Sequence, residues 1–183
     1  TDLMIADYND ELYRTLKEKA PVMAEALKSD AQLLNPVEKE FLKNLPIQKE
    51  VKAGGVKFLL VHGSPRKNNE DILPDTPLSE VEKMLENVDV VLCGHTHIPC
   101  GFQTESRKTV VNAGSIGRTF FVEPNSYPKA CYLIIEVDNG SCVFQHQFVE
   151  YDKEQASEKL AAREFEGADK LAGMLINPEI RHF

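Results

Sequence analysis

Apolar residues recur at helical spacing through the first quarter of the chain and collapse into short runs beyond it. From Tyr8 to Lys19, Leu12, Leu16 and Ala20 share one stripe, which predicts a helix. Pro21 bends or restarts it, and the pattern resumes through Leu27. Asn35-Pro36-Val37-Glu38 has the capping residue, first-turn proline and third-position glutamate of a helix start. That helix carries Phe41, Leu42 and Leu45 and stops before Pro46. Ile47 to Val51 and Val56 to Val61 then flank Gly54-Gly55, a hairpin signal. The second run, "VKFLLV", is nearly continuous, which predicts a strand buried on both faces. A polar loop with three prolines runs from Pro65 to Pro77, long enough to be functional. Ser79-Glu80-Val81-Glu82 reads as a capping box, opening a helix that offers Val81, Met84, Leu85 and Val88 to a core.

The strand "VVLC", Val90 to Cys93, follows that helix. Gly101–Thr104 and Thr109–Asn112 are strand-like. Ala130–Val137 and Cys142–Glu150 form a hairpin across Asp138-Asn139-Gly140-Ser141. From Asp152 onward the chain is helical, anchored by Leu160, Leu171 and Leu175. The fold class is therefore α/β: a strand–helix–strand unit with a mixed sheet and an antiparallel second half. The 183 residues suit a single domain, 1–183, with a helical tail over 152–183 and room for a small lobe.

Composition narrows the function. With 42% hydrophobic and 27% charged residues the chain is globular. Its formal net charge of −8 disfavours a nucleic-acid groove, though metal ions can supply local positive charge for a phosphate substrate. The four cysteines, Cys93, Cys100, Cys131 and Cys142, include no C-x-x-C pair and fit small buried residues in a reducing, cytoplasmic compartment. No apolar run approaches the ~18 residues of a membrane span.

Chemistry concentrates where "VVLC" runs into Gly94-His95-Thr96-His97. In an extended segment His95 and His97, two residues apart, face the same way, and Gly94 permits a sharp turn out of the strand. His62-Gly63 ends the earlier strand "VKFLLV". Parallel strands joined by a helix bring their carboxyl ends to one edge, so three imidazoles are expected to converge there and bind metal. His146, inside a strand, and His182, in the terminal tail, are assigned no such role.

In this order, "VHGSP", "CGHTHIP" and "VVNAGSIG" resemble the C-terminal motifs of the calcineurin-like metallophosphoesterases, most nearly the small bacterial and archaeal type. The likeness spans Val56 to Val137; Ala113 stands where proline is commoner. The resemblance implies the C-terminal part of a four-layer α/β/β/α sandwich with two divalent ions, manganese, iron or zinc. It implies that His62 and His95 bind one ion and His97 the other, and that a hydroxide activated by the pair hydrolyses a phosphate mono- or diester. Arg118 is a candidate phosphate contact, against a plain surface salt bridge. The family's Asp-x-His, Gly-Asp and Asn-His-Asp or Asn-Cys-Asp motifs do not occur in the chain, although Asp2 is placed to end the last of them. The expectation is thus a histidine-rich half-site, inactive alone, completed by an N-terminal half upstream of Thr1 or by a second copy. The substrate class is a phosphorylated small molecule or nucleotide, with no membrane partner.

Two alternatives stand beside this. One is a four-coordinate zinc site from Cys93, His95, His97 and Cys100. The other is a non-catalytic, regulatory or interaction fragment. A serine hydrolase is set aside, because "AGSIG" has Ala113 where the nucleophile elbow needs glycine.

Overall fold

The computed structural model describes residues 2–85, 87–118 and 129–177. The contacts divide it into two compact units, 1–46 with 152–177 and 47–151.

The first unit is helical: α1 (Asp2–Ala6), α2 (Asp10–Lys19), α3 (Pro21–Leu33), α4 (Pro36–Lys43), and two later helices from the chain's end. Asn9 caps α2 by accepting from the Glu11 and Leu12 N–H groups. Pro21 takes the first position of α3, where a missing N–H costs nothing, so the chain restarts at Ala20 and runs six residues past the expected end at Leu27. Asn35 and Glu38 complete the predicted capping box of α4. Ile5, Leu27 and Ala31 form the core, with Tyr8, Leu16, Leu34 and Leu42 against it.

The single terminal helix expected from Asp152 is instead two, α6 (Lys153–Ala161) and α7 (Ala168–Ile176). The first ends with its cap at Ala162, and Gly167 starts the second: it sits at φ 87, and a Cβ there would lie 2.8 Å from Val22 Cγ2. The two alanines of α7, Ala168 and Ala172, are its buried positions, while Leu171 and Leu175 are half-buried. Lys17 joins this segment to α2 and α3, meeting Glu166 at 2.8 Å and Glu25 at 2.6 Å. What reads as a tail is part of the helical unit.

The second unit is built on a five-stranded sheet. Its strands are β1 (Gln48–Ala53), β2 (Val56–Val61), β3 (Val90–Cys93), β4 (Cys100–Gln103) and β5 (Thr109–Asn112), in the order β1-β2-β3-β5-β4. The strands β2, β3 and β5 are parallel; β1 and β4 run antiparallel at the edges. Helix α5 (Leu78–Met84) connects β2 to β3, the expected strand–helix–strand unit. It starts at Pro77 with no side-chain cap, so the capping box predicted from Ser79 does not form. A separate two-stranded sheet pairs β6 (Ala130–Asp138) with β7 (Ser141–Val149). Its turn has Asn139 and Gly140 both at positive φ, 45 and 84, the backbone a tight two-residue hairpin needs.

Alternation along the strands builds the layers. Leu59, Val91, Cys93 and Val110 face Val81, Met84 and Leu85. Val56, Phe58 and Val90 face Ile135, Val137 and Phe144 of the hairpin. Helix, mixed sheet and hairpin thus follow in the α/β/β order of the expected sandwich. The strand β2 is not buried throughout: Lys57 and Leu60 are exposed, because two faces covered by different partners leave gaps where neither reaches.

Candidate metal centre

Because β2, β3 and β5 are parallel, their carboxyl ends share one edge, and each delivers a polar residue there. His62 follows β2, the Gly94–His97 segment follows β3, and Asn112 ends β5. The Gly94 N–H donates to the His62 carbonyl at 2.9 Å. That bond holds the two exits together, and the rings meet above it. His95 Nδ1 lies 3.2 Å from His62 Nε2, with ring centroids 5.1 Å apart and planes 64° apart. His62 is exposed and His95 half-buried, so the pair stands at the open rim.

The segment carrying His95 and His97 is not extended. Both residues are left-handed, at φ 60 and 61, a conformation that costs a residue with a Cβ about 1–2 kcal/mol. The same-facing rule of a strand therefore does not apply, and the two rings find different partners. His97 donates from Nδ1 to the Arg118 carbonyl at 2.9 Å. A carbonyl only accepts, so the neutral His97 ring carries its proton on Nδ1 and its lone pair on Nε2. His62 and His95 approach each other as expected, and His97 turns its Nδ1 to the Arg118 carbonyl. Among the described residues, no group of three or more histidine, cysteine, aspartate or glutamate side chains is arranged to hold a metal ion.

The pair itself fits one ion. Two nitrogens at about 2.0–2.1 Å from a tetrahedral metal lie about 3.3 Å apart, close to the separation seen. The other nitrogen of His95, Nε2, faces Asp71 Oδ1 at 3.5 Å. A carboxylate behind a ligating imidazole orients the ring and raises its basicity. Asp71 belongs to the polar loop after β2, which is built rather than slack. Ser64, 4% exposed, donates its hydroxyl to Glu70 and accepts from the Arg66 and Lys67 N–H groups. Arg66 reaches Glu70 at 2.6 Å. The guanidinium first, and the Ser64 hydroxyl second, hold the Glu70 carboxyl below the usual carboxylate range. Sequence reasoning marked this loop as functional without selecting Asp71; a carboxylate beside Glu70 in a charged run gives no local signal.

Arg118 enters the site through its backbone. Its carbonyl receives the His97 proton and its N–H donates to Ser115 Oγ at 3.0 Å. Cys93 of the zinc alternative packs in the apolar cluster with Leu59, Val91 and Val110, which counts against it as a ligand. Burial pushes its thiol up to about 12, opposing the thiolate a zinc ion requires. His182 lies outside the described residues. No helix among the described residues is long and apolar enough to cross a membrane.

Two solved structures share this fold. A hypothetical protein from Pyrococcus horikoshii superposes with a TM-score of 0.80 at 24% identity, covering 98% of this chain and 71% of its own. A metallophosphoesterase from Sphaerobacter thermophilus superposes with a TM-score of 0.70 at 19% identity, covering 95% and 72%. No curated protein matches the chain. The model of the calcineurin-like phosphoesterase superfamily domain matches residues 9–140, which takes in three of the helices before the sheet as well as the sheet and its histidines. The chain belongs to the calcineurin-like phosphoesterase superfamily, a family of metal-dependent phosphoesterases.

Proposed function

We propose that this chain contributes the histidine side of a dinuclear centre that hydrolyses a phosphate mono- or diester of a small molecule or nucleotide. His62 and His95 serve one ion and His97 the other. The observation that carries this is the 3.2 Å approach of His95 Nδ1 to His62 Nε2 at the shared edge of parallel strands, in a chain of this family. Divalent ions, when bound, supply Lewis acidity that acidifies water and polarises phosphoryl oxygens.

The chain's own residues orient. Asp71 steadies His95 through Nε2, and the Arg118 carbonyl keeps the His97 proton on Nδ1, so that each ring presents its other nitrogen. The Arg118 guanidinium is assigned to a substrate phosphoryl oxygen, where its planar donors suit a tetrahedral anion. Neutral imidazoles bring no negative charge, so the carboxylates that balance two divalent ions come from a further segment or a second copy. Turnover of p-nitrophenyl phosphate and its bis-ester with added manganese tests this. The 183-residue chain alone is expected to stay at background, and to gain turnover when the carboxylate-bearing part is supplied. Robust turnover by the chain alone would overturn the half-site reading.

A further inference from the structure

The Gly94–His97 turn has two left-handed residues in four, and two of the hydrogen bonds that hold it come from one side chain on another strand. Asn112 is the last residue of β5 and is 0% exposed. In the sheet it pairs with Cys93 on one side and Cys100 on the other, so it sits at the centre of a row of three strands. Its Nδ2 donates to the Gly94 carbonyl at 2.6 Å and to Thr96 Oγ1 at 2.9 Å. Its Oδ1 accepts the Gly114 N–H at 2.9 Å, and its backbone carbonyl accepts from His146 Nε2 at 2.7 Å. Thr96, 1% exposed, stands between the two histidines; its hydroxyl also receives the Ile98 N–H at 3.4 Å. One buried amide therefore grips the residue before His95 and the residue before His97.

The structure assigns Asn112 as the positioning residue of the histidine turn, with Thr96 as its receiver and His146 as the anchor that ties β7 to the same point. It touches neither imidazole; it acts through the backbone and hydroxyl between them. The assignment rests on the reading of His95 and His97 as metal ligands. The chemistry is specific to an amide. The Gly94 carbonyl can only accept, so Asn112 must supply that proton, and the acceptor contact is to an N–H. Aspartate has the same shape and no such proton, so it would set a carboxylate against the Gly94 carbonyl. With the clamp gone, the left-handed turn loses what holds it, and the His95 and His97 rings lose their defined partners.

The test compares the wild-type chain with Asn112→Asp, Thr96→Val and Thr96→Ser. Histidine ring nitrogens are read by long-range proton–nitrogen spectra without metal. Zinc and manganese affinity is read by competition with a chromophoric chelator, and folding by thermal melts. Wild type is expected to show His97 protonated on Nδ1. Asn112→Asp and Thr96→Val are expected to melt cooperatively, to shift the His95 and His97 signals to a mixed-tautomer pattern, and to lose about 10–100-fold in metal affinity. Thr96→Ser, which keeps the hydroxyl, is expected to match wild type in ring spectra and affinity. Wild-type ring spectra in Asn112→Asp would overturn the assignment. If that variant does not fold, Thr96→Val decides, and wild-type spectra there overturn it equally. A wild-type chain that binds no metal would instead overturn the half-site reading, while the ring spectra still decide the role of Asn112.

Discussion

The His62 carbonyl accepts the Gly94 N–H at 2.9 Å, beyond the last paired residues of the two strands, Leu60 and Leu92. The ladder is carried past the sheet edge to the point where the two rings meet. His62 and His95 should therefore bind an ion as a unit. His62→Ala and His95→Ala are each expected to lower zinc and manganese affinity by more than the roughly 100-fold ceiling of a change outside the ligand set. The double variant should lose little more than either single one. Equilibrium dialysis on the three variants checks this; losses that simply add would mean the rings act apart.

Cysteine chemistry separates the metal readings. Burial pushes the Cys93 thiol up to about 12 and raises that of Cys100 as well. Native protein at pH 8 should leave Cys93 unlabelled by iodoacetamide while urea-unfolded protein labels it, as mass spectrometry of the peptides will show. Cys93→Ser with Cys100→Ser should leave metal stoichiometry unchanged. Stoichiometry lost in that double variant would restore the cysteine-containing site.

Gly63 is a steric requirement of the loop that carries Asp71. A Cβ at this position would lie 2.6 Å from the Asn68 carbonyl oxygen and 2.8 Å from that of Lys67, both backbone atoms that cannot swing aside. Gly63→Ala should displace the loop and cost about 1–3 kcal/mol of stability. Denaturant titration measures the loss. Limited proteolysis should show new cleavage among residues 65–71, and an uncut, equally stable variant would contradict the argument.

The helical unit should be acid-sensitive through Glu25. The Lys17 ammonium first, and the Tyr13 hydroxyl second, hold its carboxyl below the ordinary carboxylate value of 4.5. A carboxylate depressed in the folded state stabilises fully above that ordinary value, and the contribution disappears as pH falls through the depressed one. Melting temperature should thus drop as pH is lowered from 4.5. Glu25→Gln should melt a few degrees lower than wild type at pH 7 and lose part of that acid slope. Parallel melts at pH 7, 4.5 and 3 give the comparison.

Much of this was legible in the linear chain because the signals were local. Asn35 with Glu38, Gly54-Gly55 and Asn139-Gly140 each act within a few residues, and each produced the element read from it. Ser79-Glu80-Val81-Glu82 carried the same kind of signal, but the helix is capped at Pro77, two residues before Ser79. The terminal segment restarts at Gly167, where Val22, far away in sequence, leaves no room for a Cβ. The motif residues after β2, β3 and β5 were also visible, as polar residues ending apolar runs.

By itself, then, the amino-acid order determined which strands exist, that β2 and β3 run parallel, and that His62, His95 and His97 leave the sheet on one edge. Only the tertiary structure decided which rings meet. Ring direction depends on the φ of His95 and His97, and that pair of left-handed residues is held by hydrogen bonds donated by Asn112 and accepted by the Arg118 carbonyl, residues 15 to 23 places further along. Periodicity reads neighbours in the chain; it carries no information about an amide on another strand that sets the backbone between two histidines.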